Sequence, residues 1–263
     1  KTRPEPPDLP PLREVIKKHG LNARKSLGQN FLLDSNLTDK IARTARINGL
    51  EVVEIGPGPG GLTRALLANN AARVTAIELD ERAFPALQEL QNIYPDRLTA
   101  VMEDALEFDY RDYLENGEKK IAIAANLPYN IATPLLIRWL KLIESCPGAV
   151  ISMTLMFQKE VGKRITARPG DPNYGRLSIL SHLLCDSQIL FDVPAAAFTP
   201  PPKVVSCVVR LVPKMPDKSS TRPKIETLEK LTAKAFGQRR KMIRSTLSDY
   251  RDLLEDMNID PTL

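Results

Sequence analysis

The sequence predicts an α/β protein, with a mostly parallel sheet, an antiparallel hairpin at its edge and a small helical C-terminal module. Three observations carry that prediction. Apolar, strand-like runs near 51–56, 74–79, 98–102, 120–126 and 149–157 alternate with amphipathic stretches near 61–70, 81–92, 133–144 and 158–167. That rhythm belongs to βαβ units with right-handed crossovers. Two later runs, 188–193 and 204–212, lie too close together for a helical crossover and read as the antiparallel hairpin. Finally, residues 213–223 (PKMPDKSSTRP) have the composition of a linker, and amphipathic patterns near 225–236 and 239–248 follow it. The expected organisation is a tail over 1–19, an α/β domain over 20–212, the linker, and a helical domain over 224–263.

Composition narrows the function. The 263 residues are 43% apolar and 26% charged, as in globular proteins, and no run approaches the length of a membrane span. No basic-then-apolar signal opens the chain; residues 1–11 are proline-rich and polar. Cys146, Cys185 and Cys207 are widely spaced beside apolar segments, and with only His19 and His182 to help they form no metal pattern. They read as core residues in a reducing compartment. The expected location is the cytoplasm, or an organelle if a transit peptide precedes the first residue. The net charge of +5 is unevenly spread. Residues 48–116 carry five bases against thirteen acids, whereas 1–47 carry ten against five and 117–213 eleven against six. The stretch 230–245 (KLTAKAFGQRRKMIRS) has six bases and no acid. An acidic block between basic flanks suits a cationic small ligand in one place and a polyanion in another.

The chemistry sits at strand ends. The first strand runs into Glu54-Ile55-Gly56-Pro57-Gly58-Pro59-Gly60-Gly61, a loop that brings backbone close to a ligand at a helix N-terminus. Gly56, Gly58 and Gly61 satisfy the dinucleotide spacing, so the loop alone does not exclude NAD or FAD. Glu54 beneath it would repel a pyrophosphate, and a sulfonium cofactor with an amino-acid tail tolerates it better. The second strand ends in Glu78-Leu79-Asp80, with Glu78 22 residues after Gly56, the place for a ribose-binding acid. The third ends in Glu103-Asp104, where Asp104 can accept from an adenine amine. The fourth closes on Asn126-Leu127-Pro128-Tyr129. Proline cannot continue the ladder, so the chain turns there and presents an amide and a phenol at the sheet's carboxyl edge. Alone, that tetrapeptide is an ordinary turn. Three acids in register at the preceding strand ends make it part of a site.

Five blocks together resemble the ribosomal RNA adenine N6-dimethyltransferases of the kasugamycin-sensitivity type. They are KSLGQNFLLD (25–34), VVEIGPGPGGLT (52–63), AIELD (76–80), NLPYNIATP (126–134) and AFTPPPKVVS (197–206), with FQKEV (157–161) and YGRLS (174–178) in support. The resemblance runs from about residue 20 to 260. It implies a class I, Rossmann-like S-adenosylmethionine methyltransferase with a helical C-terminal domain. It places cofactor contacts on Asn30, Leu32, Gly56, Gly58, Glu78, Asp104 and Asn126. It gives catalytic roles to Asn126, Leu127 and Tyr129, and sets Phe198, in a rigid exposed loop, against the second face of the target base. Phosphate contacts are expected from Arg24, Lys25, Arg239, Arg240, Lys241 and Arg244. No metal is implied. The implied partner is small-subunit ribosomal RNA within a pre-30S particle, bound by a monomer without a membrane. Family members usually continue with a further helix beyond Ile259-Asp260-Pro261-Thr262-Leu263, so the C-terminal RNA surface is expected to be incomplete.

Three alternatives compete. Relatives that dimethylate large-subunit RNA share the cofactor blocks, but 174–178 and 197–206 argue for the small-subunit type. A methyltransferase-like assembly or mitochondrial transcription factor would not need Glu78, Asp104, Asn126 and Tyr129 together, which argues for catalysis and leaves room for an assembly role beside it. A NAD-linked oxidoreductase has no evident use for Asn126-Leu127-Pro128-Tyr129.

Overall fold

The structure, a computed structural model, describes residues 8–24, 28–215 and 222–237. Among them the chain runs α1 (Leu12–Lys18), β1 (Phe31–Leu32), α2 (Ser35–Ala45), β2 (Glu51–Ile55), α3 (Gly61–Ala68) and β3 (Arg73–Glu78). There follow α4 (Phe84–Ile93), β4 (Leu98–Met102), α5 (Tyr110–Tyr113), β5 (Ile121–Asn126), α6 (Tyr129–Ser145), β6 (Val150–Gln158) and α7 (Lys159–Thr166). The last elements are α8 (Arg176–Leu184), β7 (Cys185–Val193), β8 (Phe198–Thr199), β9 (Ser206–Pro213) and α9 (Ile225–Gly237).

Seven strands form one sheet in the order β4-β3-β2-β5-β6-β9-β7. Strands β2 to β6 pair in parallel, and β9 runs antiparallel to both β6 and β7. The central strands are buried on both faces, which is why they read as unbroken apolar runs. Val53, Ile55, Ile121 and Ile123 face one layer with Trp139 of α6. Val52, Ala122 and Ala124 face the other with Leu66 of α3 and Ile41 of α2. From β2 the chain builds outward through β3 and β4, then returns to add β5 and β6 on the opposite side. That reversal opens a crevice above the carboxyl ends of β2 and β5, where open α/β sheets bind ligands.

The antiparallel pair has its expected partners, but only β7 lies at the edge. Cys207, Val208, Val209 and Leu211 of β9 are buried on alternate faces and hold it inside the sheet. The three cysteines are free and buried, in keeping with core roles.

Two boundaries differ from the expectation. Residues 12–18, assigned to the tail, form α1, because Val15 and Leu21 bury against Ala83 and Ala86. The helix over 225–236 does form, as α9, but it joins the sheet's own core rather than a separate one. Ile225 is 1% exposed, Leu228 packs on the same cluster, and Glu229 pairs with Arg176 of α8 and Lys141 of α6. The expected helix near 239–248 lies outside the described residues.

Candidate active site

The loop after β2 is possible because glycine tolerates left-handed backbone. Gly56 and Gly58 have φ of 63° and 53°, where a Cβ is strained. A Cβ on Gly58 would also stand 3.0 Å from the Phe31 ring. The loop folds back onto the end of β3: Glu78, 6% exposed, accepts the Gly58 amide at 2.8 Å on Oε2 and the Asp80 amide at 2.8 Å on Oε1. Each carboxylate oxygen keeps a lone pair for a ligand hydroxyl. Burial pushes the Glu78 carboxyl above its ordinary value, and the two amides pull against that shift. Asp80 is pushed up by burial too, but hydrogen bonds from Arg82 and Gln29 outweigh this and hold it below the usual carboxylate range.

Glu54, in β2 just before the loop, is 1% exposed, and its Oε2 has no hydrogen-bond partner. Burial pushes its carboxyl up to about 8. Hydrogen bonding from Thr63 of α3 opposes that shift, and the acid lines the cavity, where it is a ready counter-charge for a cationic ligand. Across the crevice, Asp104 accepts the Leu106 amide at 2.8 Å through Oδ1, which leaves Oδ2 available.

At the end of β5, Pro128 has φ −57° and ψ 127° and begins α6 without needing an amide hydrogen. Asn126 thereby stands at the sheet edge, and its Nδ2 donates to the Asn30 carbonyl at 3.0 Å. A backbone carbonyl only accepts, so this contact fixes which end of the amide is which and leaves Oδ1 to receive a donor. Tyr129, at the first turn of α6, hydrogen bonds through its hydroxyl to Ser206 Oγ at 2.6 Å. Burial raises its phenol pKa, and the Ser206 bond opposes the shift.

Residues 28–32, 54–59, Glu78, Asp104 and 126–131 thus line one cavity. Comparisons with known proteins place the chain in a family. The family model for ribosomal RNA adenine dimethylase matches residues 20–258. The chain belongs to that family. It is 56% identical to the ribosomal RNA small subunit methyltransferase A of Bradyrhizobium diazoefficiens, over 97% of this chain and 85% of that protein. Among solved structures, a dimethyladenosine transferase from Plasmodium falciparum superposes with TM-score 0.68 at 30% identity, covering 87% of this chain and 82% of that one. The 23S rRNA methyltransferase ErmE superposes with TM-score 0.63 at 26% identity, covering 88% and 91%.

Within this dimethylase fold, the structure brings together Asn30, Leu32, Gly56, Gly58, Glu78, Asp104, Asn126, Leu127 and Tyr129. Phe198 is the exception. It is 3% exposed and packs in the core, with its backbone paired to Leu32 in the small β1–β8 sheet. The expected exposed loop begins only after it, because the Leu32 pairing draws Phe198 inward. Arg24 is exposed on the approach to residues 28–30, and its backbone amide donates to Gln29 Oε1 at 3.0 Å. Lys25, Arg239, Arg240, Lys241 and Arg244 lie outside the described residues. Sequence reasoning gave no role to Gln29, Asp80 or Ser206. All three fall inside the matching blocks, but their work is done across 51 or more residues of sequence, which spacing does not reveal.

Proposed function

We propose that this chain is an S-adenosylmethionine-dependent dimethyltransferase acting on N6 of adenosines, two adjacent ones, in small-subunit ribosomal RNA of a pre-30S particle. In this reading it works as a monomer during ribosome biogenesis. The observation that carries the reading is the Asn126 amide, whose NH2 is committed to Asn30 so that its oxygen is the acceptor. Family membership and the 56% identity to a small-subunit enzyme, against 26% to ErmE, support the small-subunit substrate.

The cavity fits the cofactor. Glu54 offers a buried carboxyl whose Oε2 has no partner to a cation, Glu78 lone pairs to ribose hydroxyls, and Asp104 a free oxygen to an adenine amine. Asn30, Leu32, Gly56 and Gly58 would line the remainder. When bound, S-adenosylmethionine supplies an electrophilic methyl group on its sulfonium.

The chain's own residues then need to make a poor nucleophile better. The N6 lone pair of adenine is delocalised into the ring. In the first transfer, hydrogen bonds from the two N6 protons to Asn126 Oδ1 and the Leu127 carbonyl favour a pyramidal nitrogen and free that lone pair; in the second, the one remaining N6 proton keeps one of these bonds. Orientation of this kind supplies much of the barrier reduction. No general base is required, since the proton leaves after the bond has formed. Tyr129 is placed to stack on the extruded base, which helps offset the few kcal/mol that extrusion costs. Phosphate contacts are assigned to Arg24, Lys25, Arg239, Arg240, Lys241 and Arg244, with each neutralised phosphate steepening the salt dependence by about 0.9 unit or less.

Incubation of unmodified 30S subunits with the enzyme and labelled S-adenosylmethionine, with primer-extension mapping, tests the proposal. Dimethylation at adjacent small-subunit adenosines is expected. Label in large-subunit RNA alone, or none, overturns it. Alanine at Arg24, Lys25, Arg239, Arg240, Lys241 and Arg244 should lower RNA affinity and flatten its salt slope without changing cofactor binding. An unchanged slope removes those assignments.

A further inference from the structure

Asp80 is bonded into the segment that carries Asn30 far more heavily than a strand-end acid requires. Its side chain is 3% exposed. Oδ2 accepts from Gln29 Nε2 at 2.8 Å and from Arg82 Nη2 at 2.5 Å, while Oδ1 accepts Arg82 Nε at 2.9 Å and the Arg82 amide at 3.2 Å. Arg82 reaches onward to the Asn22 carbonyl at 3.1 Å. Gln29 is held from both sides: its Oε1 accepts the Arg24 amide at 3.0 Å and its own amide donates to the Arg24 carbonyl at 3.3 Å. One carboxylate at the end of β3 therefore anchors residues 22–24 and Gln29.

The next residue is Asn30, whose carbonyl receives Asn126 Nδ2 at 3.0 Å. Among the described residues, this is the hydrogen bond that distinguishes the nitrogen of Asn126 from its oxygen. If the Asn30 carbonyl drifts, the amide loses the partner that keeps Oδ1 as the acceptor. The path Asp80–Gln29–Asn30–Asn126 thus joins the two ends of the cavity, from the end of β3 to the end of β5.

We propose that Asp80 is a positioning residue for methyl transfer, acting through Gln29 to fix the Asn30 carbonyl that orients the Asn126 amide. The inference rests on the role given to Asn126 above. Asp80 touches neither substrate nor reacting atoms; it sets where the accepting oxygen points. An ordinary turn-capping role would be met by the Arg82 amide alone and would have no use for Gln29.

The test uses the full chain with unmodified 30S subunits at saturating cofactor, measuring kcat and thermal midpoint together. Gln29→Leu leaves the Asp80–Arg82 pair intact and removes only the link. Asp80→Asn turns one accepting oxygen into a donor facing the Gln29 amide. Gln29→Glu places two carboxylates in contact. Each single variant is expected to lower kcat about tenfold, within the range that small misplacements of reacting groups produce. Parent-like kcat in Gln29→Leu, whose Asp80–Arg82 pair is untouched, overturns the proposal. A fall in thermal midpoint without a fall in kcat overturns it too, leaving Asp80 a structural cap. Should Asn126→Ala retain parent activity, the role of Asn126 fails instead, and the two failures are separable.

Discussion

The two halves of the cavity are built from opposite chemistry. At the ends of β2, β3 and β4 the cavity is lined by four carboxylates, Glu54, Glu78, Glu103 and Asp104, with the buried Asp80 behind them. At the end of β5 stand an amide and a phenol, held by a carbonyl and a serine hydroxyl. In the proposed reading, the acidic half holds a cation and ribose hydroxyls. In the proposed reaction the neutral half acts by placement rather than by taking a proton, through the amide that the Asn30 carbonyl orients. Substitutions in the two halves should therefore fail differently, one in cofactor affinity and the other in turnover.

The largest expected effect is in the neutral half. Asn126→Ala removes the oxygen assigned to N6 and should lower kcat by about 10²–10³, the cost of deleting one preorganised transition-state contact. Cofactor affinity should fall far less. Single-turnover transfer measured beside cofactor calorimetry checks this; turnover within tenfold of the parent would break the division between halves.

Glu78→Ala is the counterpart. It should weaken S-adenosylmethionine by about 1–3 kcal/mol through unmade polar contacts and an orphaned Gly58 amide, and turnover at saturating cofactor should be nearly unchanged. Calorimetry with unchanged affinity would refute the assignment of Glu78.

Both of these residues were legible in the sequence because the strand–loop–helix rhythm fixes which positions reach the sheet's carboxyl edge. Apolar runs bounded by glycine or proline located β2 to β6, and the acids closing them marked the acidic half of the cavity. The short elements were not legible. Helix α1 follows a proline-rich segment and exists because Val15 and Leu21 find Ala83 and Ala86. Helix α2 carries local signals that the reading passed over: Asp34 caps the Asn36 and Leu37 amides, and Thr38, Ile41, Ala42 and Ala45 share its buried face. Strands β1 and β8 are two residues each and arise only from their mutual pairing, which is what turns Phe198 into the core. The Gln29–Asp80 and Tyr129–Ser206 contacts join distant segments, and no local pattern specifies a partner at that range.

A moderate effect, sharper in sign than in size, comes from Glu54. Its carboxyl shifts from an ordinary 4.5 to about 8 in the folded protein. Between those values the native state keeps a proton that the unfolded chain has released, so stability in the absence of ligand falls as pH rises through that window. A cation bound beside Glu54 favours the ionised form, so cofactor affinity should move the other way. Raising pH from about 6.5 to about 8 should tighten binding roughly threefold to tenfold, with proton release on binding. Glu54→Gln should flatten both dependences. Affinity that is level across this range would show that Glu54 does not face the cofactor's charge.

The smallest effect separates what Tyr129 does with its ring from what it does with its hydroxyl. Tyr129→Phe keeps the ring at the start of α6 and removes the bond to Ser206, a residue with no exposed surface. Leaving the buried Ser206 hydroxyl without that partner should cost about 0.5–1.5 kcal/mol of stability. Methyl transfer should stay within about threefold, because a phenyl ring stacks on a base as a phenol does. Tyr129→Ala should cost roughly 1–3 kcal/mol in transition-state stabilisation through lost stacking, so the pair of variants brackets the ring's contribution. Melting curves and kcat/KM on 30S subunits measure both quantities on the same samples. If Tyr129→Phe is instead as inactive as Tyr129→Ala, the hydroxyl takes part in the reaction. Its raised pKa would then belong to a proton-handling group, and the neutral half would no longer work by placement alone.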